Sequence, residues 1–247
     1  MQARRLPARH GLLWLIASFR IFRRNPPLIT GLAMAYLFVV IAVNLVPVVG
    51  PFLMPLALPM LVVILANGCR VVQRGGGIGA VALTYGIQQR RVELIRLGGL
   101  HLLGSLLILL ISSIIADSPA ALPESDEARL KILAQVLIIA LPVIAAFWFA
   151  PLLTAWDEIA PMKAVFFSFM ASVRNWRAFA VYALVTGLIG VLAPSLLLIA
   201  ANAISDVAFD LLALLLRLIL LFVIAPVIMT SVFVSYQDVF HGKADGD

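Results

Sequence analysis

Six stretches of this chain, at about 28–48, 51–68, 92–116, 132–155, 178–203 and 211–235, are close to or above the ~20 apolar residues that carry a helix across a bilayer. That pattern leaves little choice of fold. Inside hydrocarbon every backbone N–H and C=O needs a partner within the protein, so stretches of this length become helices. The expected fold class is all-α, a polytopic membrane protein with six transmembrane helices in a single membrane domain, residues 1–247. Charge agrees: 12% of residues are charged, about half the ~25% of a soluble domain.

The connections carry their own signals. Pro47, Gly50 and Pro51 suit a tight turn between the first two spans, Gly75, Gly76, Gly77 and Gly79 a loose link before the third, and 118–127 a polar loop before the fourth. Pro142, Pro151, Pro194 and Pro226 fall inside spans four to six. Kinks rather than breaks are expected there, because neighbouring groups in a membrane bundle can satisfy the carbonyl that proline frees. The apolar stretch near the N-terminus is cut by Ser18, Arg20, Arg23 and Arg24 and lacks a small-residue cleavage site, so it reads as mature protein rather than a signal peptide.

The basic residues are unevenly placed. Arg4, Arg5, Arg9, Arg20, Arg23 and Arg24 precede span one; Arg70, Arg74, Arg90, Arg91 and Arg96 lie between spans two and three. Lys163, Arg174 and Arg177 lie between spans four and five, and Lys243 lies in the C-terminal tail. That gathers 15 of the 18 basic residues on one side. Arg129, Lys131 and Arg217 fall to the other side with Asp117, Glu124, Asp126, Glu127, Asp206 and Asp210. Lysine and arginine mark the cytoplasmic side, so both termini are expected in the cytoplasm.

Ahead of span one, Leu12, Leu15, Ile16, Phe19 and Phe22 recur at helical spacing among Arg20, Arg23 and Arg24. Ahead of span five, Met162, Val165, Phe166, Phe169 and Val173 repeat the stripe among Lys163, Ser168, Ser172 and Arg174. Both predict interfacial amphipathic helices, too short and charged to cross. A weaker version covers 83–95, with Leu83, Ile87 and Leu94 beside Arg90 and Arg91. The unit of amphipathic helix, span, turn and span is thus expected three times at a spacing of about 75 residues, over roughly 8–74, 78–156 and 157–241. Trp14, Trp156 and Trp176 fall where indoles sit at a membrane interface.

The opening LPARHG and FRIFRRNP, the FWFAP of 147–151, the FSFMASVRNW of 167–176 and the SVFVSYQDVF of 231–240 resemble a family of uncharacterised proteobacterial inner-membrane proteins. That family is similar in organisation to YciC-like proteins and to the membrane domain attached to some glycerophosphodiester phosphodiesterases. The resemblance runs from about Leu6 to Phe240 and implies a six-helix, multi-pass protein of the bacterial inner membrane with no assigned activity. Those phosphodiesterases hold their catalysis in a separate soluble domain, so no catalytic residue carries over.

A direct search for chemistry finds little. His10, His101 and His241 lie in separate segments without metal-ligand spacing, GGGIG at 75–79 lacks the Lys-Ser/Thr of a phosphate loop, and no serine sits in GxSxG. His101 reads as a packing or interfacial residue, with a proton relay as the alternative. Cys69 is the single cysteine and reads as a passive thiol; no internal disulfide can form. The expected protein is non-enzymatic and without cofactor or metal, its basic rim of Arg20, Arg23, Arg24, Arg90, Arg91, Lys163, Arg174 and Arg177 contacting anionic lipid headgroups. A scaffold, a sensor or a lipid-handling role would follow. Nucleic acid is not expected as a partner; a protein partner or homo-oligomer stays open. Asp157 and Asp238, acids on the basic side, read as structural ion-pair partners of the amphipathic-helix arginines. Arg217, inside span six with Asp210 seven residues earlier on the same face, is a candidate intramembrane polar site. It supports the alternative of a lipid or small-molecule transporter using kinked spans four to six.

Overall fold

The computed structural model describes residues 3–77, 79–115 and 125–242. Asp117, Glu124 and Lys243, counted in the charge asymmetry, lie outside the described residues, as does part of the 118–127 loop. The described chain is helical, with six helices long and apolar enough to cross a membrane: Pro26–Asn44, Gly50–Arg74, Arg91–Ile114, Arg129–Ala155, Trp176–Asn202 and Asp206–His241. The fold is that of an all-α polytopic membrane protein. We number the helices α1 (His10–Arg24), α2 (Pro26–Asn44), α3 (Gly50–Arg74), α4 (Ala80–Leu83), α5 (Arg91–Ile115), α6 (Asp126–Phe147) and α7 (Ala150–Ala155). They continue as α8 (Pro161–Arg174), α9 (Trp176–Gly187), α10 (Ala193–Asn202), α11 (Asp206–Ile219) and α12 (Ala225–Tyr236).

The last span begins earlier than its apolar run suggests. Ser205 caps it, its Oγ accepting from Ala208 N at 3.1 Å, and Asp206 sits in the first turn where the helix dipole favours an acid. At 36 residues and ~1.5 Å per residue, this helix is far longer than the ~30 Å hydrocarbon core. Its final part, from Pro226 to Val239, is mostly buried within protein.

Proline acts differently in different spans. α6 runs unbroken through Pro142. π-helical turns at Leu188–Leu192 and Leu220–Ile224 come just ahead of Pro194 and Pro226, a widening that accommodates residues unable to donate to the preceding turn. The carbonyl that Pro226 leaves without its N–H belongs to Phe222, and Thr30 Oγ1 donates to it at 3.0 Å. At Pro151 the expected kink is a break: α6 stops at Phe147 and α7 restarts at Ala150 with the proline in its first turn.

Two compact units make up the chain. One holds 1–41, 63–85 and 173–247; the other holds 42–62 and 86–172. These boundaries do not follow the three segments read from the sequence. In the first unit α1 packs on α9 and α12. Gly11 makes that approach close, since any Cβ there would collide with the Ala178 carbonyl. In the second unit α5 packs on α6 and α7. The amphipathic helix expected over 83–95 is not formed. Residues 84–90 are turns between α4 and α5, and Gly86 adopts φ +78, with a Cβ there falling 2.6 Å from the Ala155 carbonyl.

Candidate functional site

α1 seats on the protein a face other than most of its apolar stripe. Its buried residues are His10, Gly11, Trp14, Ser18, Ile21 and Phe22, a row at helical spacing. Of the apolar stripe read from the sequence, Leu12 is 43% exposed, Ile16 39% and Phe19 44%, whereas Phe22 is buried. Trp14, expected at an interface, is wholly buried.

The buried row meets one carboxylate. Asp238, 1% exposed near the end of the last span, accepts from Trp14 Nε1 at 2.8 Å on Oδ2, and His10 Nδ1 lies 2.7 Å from the same oxygen. Arg4 Nη1 stands 4.0 Å from Oδ1 and makes a long 3.5 Å contact with the Asp238 carbonyl. An ionised carboxylate taken from water without such donors costs several kcal/mol, so these contacts fasten α1 and the N-terminal segment to the last helix. The segment has two more ties. Arg4 N donates to Val239 O at 2.9 Å. Asn175, itself 1% exposed, accepts from Leu6 N at 2.8 Å and donates to Arg4 O at 2.9 Å. Beside Trp14, the Tyr182 and Ser231 hydroxyls pair at 2.7 Å, and Phe179 meets the indole edge at 5.2 Å between centroids.

In the second unit α8 follows the same plan with other chemistry. Ala164, Ser168, Ala171 and Ser172 are buried, while Met162 (65%) and Phe166 (58%) are exposed. Ser168 Oγ enters the opened backbone ladder between α6 and α7, accepting from Phe149 N at 2.9 Å and donating to Ala145 O at 2.9 Å. Ser172 Oγ adds a 3.1 Å bond to the same carbonyl. The hydroxyl thus completes a pairing that α6 would otherwise have made within itself.

The basic residues read from the sequence are mostly exposed: Arg20, Arg23, Arg24, Arg91, Lys163, Arg174 and Arg177. Arg24 Nη1 also donates to Gln73 O at 3.1 Å, satisfying a carbonyl at the end of α3. Arg90 is half-buried, donating to Glu158 O at 2.8 Å and standing 3.8 Å from Glu93. Asp157 is half-buried in the turn after α7. Arg217 and Asp210 are both exposed on α11 and form no ion pair with each other. One helical pitch is ~5.4 Å, so seven residues put them on one face but too far apart to touch. His101 packs its ring 4.7 Å from Phe147, and Cys69 is buried, its Sγ 3.6 Å from Thr230 Oγ1. Among the described residues no three His, Cys, Asp or Glu side chains gather as a metal site.

Sequence reasoning missed His10, Trp14, Asn175 and Ser168 as fastening residues. The signal for two of them was present: Trp14 lies four residues after His10, so both fall on one face.

Next to this polar cluster an apolar groove of about 270 Å³ lies between α1 and the last two spans, lined by Leu12, Ile16, Phe19, Val185, Ile189 and Ile228 among others. Arg23 holds its guanidinium 5.9 Å from the centre of the Phe19 ring at its edge.

Six apolar spans, with a helix at their end seated by its polar face, define a polytopic membrane protein. Comparison with known proteins gives the next step. Over 202 aligned residues the chain is 33% identical to a protein of Burkholderia thailandensis described as a probable inner membrane protein, covering 74% of each chain. The chain belongs to this family of probable inner membrane proteins. No family profile matches it, and no solved structure does.

Proposed function

We propose that the protein is a non-enzymatic inner-membrane protein whose basic rim binds anionic lipid headgroups, serving lipid handling, lipid sensing or scaffolding. The observation that carries this reading is the way α1 and α8 sit. α8 turns only small and polar residues inward and α1 seats His10, Gly11, Trp14, Ser18, Ile21 and Phe22, yet both leave other bulky apolar residues exposed beside cations, Leu12, Ile16 and Phe19 with Arg20 and Arg23, and Met162 and Phe166 with Lys163. In water such faces would be an aggregation liability. In the headgroup layer they suit both phases at once: apolar side chains enter the acyl boundary while each cation gains about 1 kcal/mol near an anionic leaflet.

On this reading both helices lie on the cytoplasmic surface, both termini are cytoplasmic, and the chain uses the unit of interfacial helix plus hairpin more than once. A maleimide should then label Ser125→Cys from the periplasmic side alone.

The test of function is the lipid that stays with the protein. Wild type, extracted from a membrane of phosphatidylglycerol and phosphatidylcholine, should retain phosphatidylglycerol above its bulk share. Replacing Arg20, Arg23 and Arg24 by Gln should bring that share down towards bulk, with the chain still inserted. Unchanged enrichment would sink the reading.

A further inference from the structure

We propose that the groove between α1 and the last two spans is a discrete lipid site, holding one acyl chain of an anionic phospholipid whose phosphate meets Arg23 and Arg20. This rests on the reading of the basic rim and narrows it from a surface to one bound molecule.

Three observations select that occupant. First, the groove's walls belong to membrane spans: Val185 of α9 and Ile189 of the π-turn after it on one side, Val227 and Ile228 of α12 on the other. A hollow bounded by spans and lined, apart from Thr186 and Phe19, by aliphatic side chains suits hydrocarbon, where acyl chains are the available solute. Second, its remaining wall is the exposed apolar stripe of α1, Leu12, Ile16 and Phe19, which the protein itself leaves uncovered. Third, a cation stands at its edge. Phe19 lines the groove, the Arg23 guanidinium lies over that ring, and Arg20 is exposed one residue on. Tail and phosphate would be met together, the requirement for selecting a lipid over a free phosphate or a neutral hydrocarbon. About 270 Å³ is near the lower end of small-molecule sites, which run roughly 300–1,000 Å³, so the groove fits part of one tail rather than a whole lipid. π-helical turns at Leu188–Leu192 and Leu220–Ile224 shape its walls, and such turns recur at functional sites.

The probe is a phosphatidylglycerol with a diazirine in the half of one acyl chain nearest the glycerol, photolysed with the full-length protein in bilayers and mapped by peptide mass spectrometry. Labelling should concentrate on peptides containing Leu12–Phe19, Val185–Ile189 and Val227–Ile228. Ile189→Trp should abolish that labelling by filling the groove, while phosphatidylglycerol enrichment by the rim persists. Leu12→Trp, at an exposed position that does not endanger folding, should do the same by covering the mouth. Arg20→Gln with Arg23→Gln should lower labelling to the level given by a phosphatidylcholine probe. Labelling spread evenly over exposed positions such as Leu196 and Leu214, or unmoved by both Trp variants, would overturn the site. Equal labelling from the phosphatidylcholine probe in wild type would overturn its anionic character. Loss of rim enrichment in the triple Arg→Gln variant with groove labelling absent in wild type would leave the rim reading standing and refute the groove.

Discussion

Helices α1 and α8 carry the same devices at matching positions and use them differently. Each has a serine with no exposed surface, Ser18 and Ser168, and each ends in an Arg–Asn pair, 24–25 and 174–175. Ser18 Oγ donates to Trp14 O in its own helix at 2.6 Å, where that carbonyl already belongs to the helix ladder. Ser168 donates and accepts across an open ladder and is the partner of two backbone groups. Asn25 accepts from Leu28 N at 3.2 Å, capping the helix that follows it. Asn175 reaches the N-terminal segment instead, holding Leu6 and Arg4. The local motif fixes where a side chain sits; what it does is set by which distant group lacks a partner. Pro151 opens a ladder, so Ser168 is needed. α1 brings two N–H donors, so Asp238 is needed.

The largest effect should come from the carboxylate that fastens α1. Asp238→Ala takes the acceptor from the buried Trp14 N–H and the partner from the His10 ring, at about 1–3 kcal/mol for each group. A large fall in thermal unfolding temperature in detergent is expected, with Asp238→Asn milder because it keeps an acceptor oxygen. Little change on Asp238→Ala would show that α1 is held by its apolar contacts alone.

The serines come next. Ser168→Ala removes one of the two hydroxyls on Ala145 C=O, Ser172 keeping the other, and the Ser168 acceptor of Phe149 N–H, at about 1–3 kcal/mol for buried groups. Ser18→Ala leaves no backbone group unsatisfied and should stay below about 1 kcal/mol. Equal losses in the two variants would erase the distinction between a redundant hydroxyl and an inserted one.

The asparagines sharpen the contrast further. Asn175→Ala should raise hydrogen exchange at Leu6 and protease cutting within residues 3–9. Asn25→Ala should cost about 1 kcal/mol as a lost cap and leave that segment protected. The smallest stability effect belongs to the exposed cations. Arg20→Gln and Arg23→Gln should change stability by no more than about 0.5 kcal/mol, while lipid retention falls.

Much of this architecture was legible because it depends on patterns that hydrocarbon imposes. The six spans came from apolar run length, and only the ends moved: the last helix starts at Asp206, since an acid is favoured in a first turn. What failed depended on distant partners. The Leu12–Ile16–Phe19 stripe was read as the side turned away from the protein, and it is exposed; the row that seats on the protein was not legible, because its partner is Asp238, more than 220 residues on. The turn at 84–90 was missed because the periodicity of Leu83, Ile87 and Leu94 masked a glycine at positive φ. Asp238 was visible as an acid on a basic side; His10 and Trp14 as its partners were not.

If the exposed apolar face of α1 enters the membrane, nitroxide depth measurement reads it directly. Cys69 is wholly buried, so labels placed by Ile16→Cys and Arg20→Cys report on α1 alone. The label at Ile16 should be relaxed by oxygen and shielded from a nickel chelate, and the label at Arg20 should show the reverse. Nickel access at both positions would place α1 in water and exclude its apolar face from the membrane.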